Sequence, residues 1–340
     1  MSRYIVSLSP HEKGPLSTEK IMWGVVLALL PSFGFAAYFF GIRAIVVTLV
    51  ATIACILTEF VIQKYLMKTT VTAFDGSAAV TGILLAFNVP SSIPLWEIIV
   101  GAVFAIAIGK MAFGGLGRNP FNPALLGRAF MLASFPVDMT TWPIPVKTQW
   151  LWEMGKNIDG TTAATPLGFM KEGLKMGKDI PALMNISPER FDYLNLFIGN
   201  IGGCIGEVSA FAIILGGIYL LYKKIITWHI PIFYLGGLAL ITSIFWIMDS
   251  TKYADPLFHL LAGGAMLGAW FMATDMVTSP MTVKGQIVFA VCGGLLCGLI
   301  RIFGSFPEGC SYSILIMNAF VPLIDKYVKP TRFGKEVNYG

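Results

Sequence analysis

Residues 44–65 read AIVVTLVATIACILTEFVIQKY, and until Gln63 and Lys64 close the run, Glu59 is its single charge. A run of this length is what a helix needs to cross a hydrocarbon core of about 30 Å, at roughly 20 residues per crossing. In that core each backbone N–H and C=O must be satisfied within the segment, which makes a helix the available form. Working outward, comparable runs lie at 21–40, 76–89, 95–112 and 121–135. A second set follows at 207–222, 231–248, 256–274, 283–303 and 311–328. The pattern predicts an all-α polytopic membrane protein with about ten transmembrane helices. The third run is short and meets Pro90 and Pro94, so a helix broken inside the membrane is expected there.

Composition points the same way. Of 340 residues 56% are hydrophobic and 13% charged, with a mean hydropathy of +0.73, whereas soluble chains carry about 25% charged residues. The net charge of +5 sits mainly in short loops and the C-terminal tail. It reports orientation in a lipid bilayer and gives no reason to expect nucleic acid as a partner. The five cysteines form no CxxC pair, so neither a disulfide framework nor a metal site is expected from this chain. Residues 1–20 lack the pattern of a cleaved signal, leaving targeting to the first span.

Counting Lys and Arg over the short loops gives about fourteen on the face shared by the termini against three, Arg43, Lys252 and Arg301, on the other. Under the positive-inside rule both termini are cytoplasmic and the long polar segment is external. The expected organisation is a cytoplasmic segment 1–20, a first five-helix repeat 21–136, an external loop 137–206, a second five-helix repeat 207–328 and a cytoplasmic tail 329–340. Five spans per set is an odd number, so two related sets must be inverted. At an offset of 187 positions Gly76 matches Gly263, Ala78 matches Ala265, Ala86 matches Ala273, Gly117 matches Gly304 and Pro120 matches Pro307. Inverted repeats of this kind carry binding sites where broken helices meet between the halves.

The segment that carries chemistry is DGTTAATPL, residues 159–167. On residue types alone it is a turn followed by hydroxyls suited to a helix N-cap. It resembles the flavinylation motif of the Rnf and Na⁺-translocating NADH:quinone reductase families. Asp159 stands at the acidic position, Thr162 at the hydroxyl position, Ala164 at the alanine and Thr165 at the acceptor. Ala163 departs from the glycine often found in the family. FGGLGRNPFNPA at 113–124, FMATD at 271–275, the ten-span layout and the chain length extend the resemblance over essentially the whole chain. The short N-terminal segment favours the RnfD branch of these membrane proteins over the quinone-reductase paralogue.

The resemblance implies FMN phosphoester-linked to Thr165 by a flavin transferase that splits FAD outside the cytoplasm. It implies Asp159, Gly160, Thr161, Thr162 and Ala164 as the surrounding motif, with Thr161 and Thr162 either bonding the phosphate or capping backbone. In some members a second, noncovalent riboflavin or FMN lies near the opposite face. The implied partners are the other membrane and peripheral subunits of an Rnf complex, including an external flavoprotein and iron–sulfur subunits, in a bacterial inner membrane. Electrons would pass from ferredoxin toward NAD, coupled to Na⁺ or H⁺ transport, and this chain would not be catalytic alone.

Ionisable residues inside spans are costly and call for a cavity or a partner. Glu59, Arg128, Glu207 and Asp275 are such residues. Arg128 suits a flavin phosphate, a neighbouring subunit, or snorkelling to the interface. Glu207 and Asp275 suit contact with a translocated Na⁺ or H⁺, or interface anchoring. Two other readings stay open: the quinone-reducing paralogue, and a small-solute channel of similar fold. Under the predicted topology, green fluorescent protein fused after Gly340 fluoresces and alkaline phosphatase there is inactive. The opposite pair of results reverses the orientation.

Overall fold

The computed structural model describes residues 17–143, 164–207, 209–304 and 308–329, and among these it is helical without a strand. The first half runs α1 (Thr18–Phe40), α2 (Ile42–Val61, extended by a π turn Ile62–Leu66), α3 (Ser77–Phe87), α4 (Leu95–Ala107) and α5 (Pro123–Ser134). A short α6 (Pro136–Thr140) closes it. The segment between the halves holds α7 (Pro166–Lys175), α8 (Ile180–Ile186) and α9 (Tyr193–Ile198). The second half runs α10 (Ala210–Tyr222), α11 (His229–Met248), α12 (Pro256–Leu261), α13 (Ala265–Leu267, extended by a π turn Gly268–Met272), α14 (Val283–Phe303) and α15 (Cys310–Tyr327).

Among the described residues, five helices are long and apolar enough to cross a membrane: Thr18–Phe40, Ile42–Leu66, Leu95–Phe113, His229–Met248 and Val283–Phe303. α3 and α10 are shorter apolar helices. In α2 the burial pattern shows why the sequence is apolar all round. Ala44, Val47, Ala51 and Cys55 are buried against the protein, while Leu49, Ile53 and Leu57, one turn apart, are exposed and available to lipid. Small residues let helices approach closely. A Cβ on Gly237 of α11 would lie 2.6 Å from the Val291 carbonyl oxygen of α14.

The offset of 187 positions recurs in the architecture. α2 begins at Ile42 and α11 at His229; α5 begins at Pro123 and α15 at Cys310. Gly76 and Gly263, 187 apart, both adopt positive φ, 89° and 67°, where an L side chain is strained. Counterparts also meet between the halves, α1 against α10 and α5 against α15. The third element of each half is the broken one, since α3 is short and its counterpart is interrupted between Leu261 and Ala265.

A buried cation holds each break. Lys110, near the end of the fourth crossing, places Nζ 2.6 Å from Glu59 Oε2 and 2.6 Å from Ser77 Oγ at the start of α3. Arg301, in the last turn of α14, donates to the carbonyls of His259 and of Ala262, the latter at 3.0 Å. Arg301 thereby satisfies two carbonyls that a broken helix would leave bare in a medium without water, whereas Lys110 ties the start of α3 to α2 through side chains. Both cations are buried, 1% and 2% exposed, which corrects their reading as loop charges. One drops from each side of the positive-inside count and the asymmetry stands.

The polar segment between the halves also differs from a plain loop. α7 to α9 enclose Leu167, Met170, Ile180, Leu183, Phe191 and Leu196, packed on Phe258, Leu261 and Ala262. Its apolar residues are too sparse to signal a span yet are spaced to bury one face of short helices. Replacing Glu59 by Leu strands the Lys110 charge, and breaking a buried pair costs about 3–5 kcal/mol. Thermal unfolding in detergent is expected to show a large loss of Tm in Glu59→Leu, partly restored in Glu59→Leu with Lys110→Met.

Candidate functional site around Thr165

Thr165 is the N-cap of α7, with non-helical backbone (φ −57°, ψ 157°), and its Oγ1 accepts the Gly168 N–H at 3.0 Å. Pro166 fills the first helical position, where its missing N–H costs nothing. The proline starts the helix and the threonine caps it, the arrangement that the residue types alone suit. The side chain is buried, 4% exposed. It lines a small pocket with Pro166, Ile201, Gly202, Gly203, Glu207 and Gly263. Of the motif residues, Asp159, Gly160, Thr161, Thr162 and Ala163 lie outside the described residues. Ala164 immediately precedes the cap and is half-buried.

Two features of the surroundings favour an anion, set against the Glu207 carboxyl on the same pocket. The first N–H groups of α7 point at the cap, and a helix N-terminus carries partial positive charge. A Cβ on Gly263 would lie 3.2 Å from Arg301 Nη2 and 2.9 Å from Leu167 Cδ1, which puts the Arg301 guanidinium against the pocket wall. Arg301 Nε has no hydrogen-bond partner, and Arg301 forms no ion pair among the described residues. Lys171 on α7 is pushed down from 10.5 to about 8, first by burial and then by the charges of Lys175 and Arg301.

Behind Glu207 lies a second layer. Arg128 pairs with Glu308 and stands 3.9 Å from Glu207 Oε1. It also donates to Asn88 Oδ1 at 3.0 Å and Ser311 Oγ at 2.6 Å, and faces Cys204 Sγ at 3.9 Å. Arg128 is thus neither snorkelling nor on the pocket wall, since its donors are spent inside the chain. One donor atom each of Cys204, Glu207 and Glu308 falls within 4.8 Å of the others. The guanidinium against all three supplies the positive charge that a metal ion would bring.

α10 separates this site from a larger cleft. Glu207 precedes its first residue, whereas Leu220, near its last, lines the cleft with Ser77, Lys110, Asn119, Asn122, Thr274 and Asp275. Thirteen helical residues span about 20 Å. Asp275 accepts from Val277 N at 3.3 Å and Thr278 Oγ1 at 3.1 Å. Glu59 is tied to Lys110 at the same end. The structure therefore divides the four ionisable residues read from the spans, Arg128 and Glu207 at one end and Glu59 and Asp275 at the other. Lys110, Cys204, Arg301 and Glu308 were missed, being flanked by glycine, proline or loop-like sequence. A charge inside an apolar run was the available signal for Arg301.

With this geometry in place, comparison with known sequences decides the lineage. The NQR2, RnfD, RnfE family matches residues 5–334. The chain belongs to that family. It is 47% identical over 330 residues, covering 97% of this chain and 95% of the relative, to the D subunit of the Na⁺-translocating ferredoxin:NAD⁺ oxidoreductase complex of Acetobacterium woodii. It is 44% identical over 331 residues, 97% and 96%, to the D subunit of the proton-translocating ferredoxin:NAD⁺ oxidoreductase complex of Clostridium ljungdahlii. A more distant family member, the D subunit of the ion-translocating oxidoreductase complex of Pectobacterium carotovorum, is 35% identical over 354 aligned positions, 97% and 98%.

A lysine with a lowered pKa is neutral when folded and charged when unfolded between about 8 and 10.5. The unfolded chain then binds the extra proton, so Lys171 adds stability as pH rises through that window. Acylation at mildly alkaline pH is expected to label Lys171 ahead of Lys175. Arg301→Gln removes one repelling charge and narrows the difference; an unchanged ratio contradicts the assignment of cause.

Proposed function

We propose that this chain is the membrane flavoprotein subunit of a redox-driven ion-translocating complex of the ferredoxin:NAD⁺ oxidoreductase type, with FMN held covalently on Thr165. The observation that carries the reading is the motif threonine found as a helix N-cap beside a buried arginine that forms no ion pair among the described residues. A phosphodiester there gains the α7 N-terminus and Arg301 as its positive surroundings. The residues fit the group. Once bound, the flavin supplies one- and two-electron chemistry, and the chain supplies position and electrostatics.

For attachment, Thr165 Oγ1 forms the bond to the FMN phosphorus. The FAD pyrophosphate bond breaks, AMP leaves, and the hydroxyl proton goes to a base of the flavin transferase. A hydroxyl that is buried and already accepting from Gly168 is out of reach of a second protein. Modification therefore requires α7 to lift from Ile201–Gly203, or to precede its docking.

The larger cleft is assigned to the second, noncovalent flavin. Polar groups converge there from both halves, and Asn119 Oδ1 is buried without a partner. With one flavin held by Thr165 and another by the cleft residues Asn119 and Asn122, this chain would carry two stations of a relay to iron–sulfur and flavoprotein partners, with Thr165 on the external face of the bacterial inner membrane. Relatives whose names specify H⁺ and Na⁺ are 44% and 47% identical to this chain, so the coupling ion varies within the family. The test is in-gel flavin fluorescence after denaturation, with the chain co-expressed with its flavin transferase. Fluorescence in the wild type that vanishes in Thr165→Ala supports the proposal. A dark wild-type band turns the reading toward the solute channel.

A further inference from the structure

Glu207 and Glu308 are 6% and 8% exposed, and each has one carboxyl oxygen, Oε1, without a hydrogen-bond donor. Glu308 Oε2 takes Arg128, whose other contacts go to Asn88, Ser311 and Cys204. Glu207 is left with a guanidinium nitrogen at 3.9 Å, beyond hydrogen-bond range. Among the described residues the charged or titratable groups facing the pair are Arg128 from α5, Cys204 from the segment before α10, Arg301 from α14, and Tyr312 from α15 on the cavity that Glu308 lines. Arg301 gives one N–H of each Nη to the carbonyls of His259 and Ala262 and forms no ion pair with either carboxylate. One arginine in contact cannot neutralise two buried carboxylates, and two carboxylates sharing a site do not both ionise.

We propose that Glu207 and Glu308 together hold one exchangeable proton, forming a proton-binding site that lies between two cavities. Glu207 lines the pocket beneath Thr165, and Glu308 with Arg128 lines a second cavity walled by Met139, Trp142 and Tyr312. A proton placed between the carboxyls gives a donor to one of the two bare oxygens and leaves a single negative charge for Arg128. Its gain or loss converts carboxylate to carboxylic acid without oxidation or reduction. A hard metal cation would need a shell of oxygens; here the guanidinium and the Cys204 sulfur occupy that shell. The site stands apart from the flavin assignment, because the pair exists whether or not Thr165 is modified.

Infrared spectroscopy of the purified complex in H₂O and D₂O tests this. The wild type is expected to show a deuterium-shifted carboxylic acid C=O band that disappears in Glu207→Gln and also in Glu308→Gln. Either substitution leaves one carboxylate beside Arg128 and so removes the shared proton. Glu97→Gln, at a separate acidic contact with Asp138, is expected to leave that band in place. Glu308→Asp keeps both carboxyls and is expected to retain the band at a shifted frequency, which separates loss of the proton from loss of the fold. A band untouched by both glutamine substitutions overturns the proposal. So does its absence in the wild type together with carboxylate bands that respond to added Na⁺, the outcome of a sodium site.

Discussion

Backbone groups at membrane depth need partners, and this constraint organises the molecule. Each half breaks its third helix, freeing N–H and C=O groups that lipid cannot satisfy. Each half places one buried cation from its fourth crossing at the break: Arg301 on the His259 and Ala262 carbonyls, and Lys110 on the Ser77 hydroxyl at the start of α3, whose own backbone N–H is taken by Asp75. The two cations differ in how their charge is met. Lys110 has Glu59 at 2.6 Å, whereas Arg301 donates to carbonyls and forms no ion pair among the described residues. The first half thereby closes its break electrostatically, and the second leaves positive charge beside the pocket of Thr165.

That asymmetry ties the fold to the chemistry. Near-equivalent breaks, marked by Gly76 and Gly263 with positive φ, sit at opposite ends of α10, and polar cavities form at both. At the end near Thr165, a helix N-terminus and an unpaired arginine suit a phosphate, and a carboxyl pair tied to Arg128 lies just behind. At the other end a cleft collects side chains from both halves. Glu207 belongs to both layers, since it borders the Thr165 pocket and stands 3.9 Å from Arg128.

Much of this was legible in the sequence. Apolar runs located the five helices that are long enough to cross a membrane among the described residues, Pro90 and Pro94 marked the end of the short α3 but not the break at Gly76 ahead of it, and the 187-residue offset anticipated the repeated helix starts at Ile42 and His229. Glu59, Arg128 and Glu207 stood out because a charge within an apolar run must find a partner. The partners did not stand out. Glu308 sits in a glycine-flanked stretch that reads as a loop, and Lys110 is followed by glycine-rich sequence that reads as cytoplasmic. Proximity between residues 180 positions apart, as for Arg128 and Glu308, is set by the packing of α5 against α15 and leaves no local trace. The helices between the halves were hidden for a different reason, being too short and polar for a hydropathy signal.

The proposal on which the rest turns is that Thr165, among the hydroxyls of its motif, bears the flavin. Mass spectrometry with fragmentation of the tryptic peptide spanning residues 157–171, from the complex matured with its flavin transferase, tests it directly, since the peptide contains Thr161, Thr162 and Thr165. The expected result is the added mass of one FMN less one water, localised to Thr165. An unmodified peptide, or the same mass on Thr161 or Thr162, contradicts it.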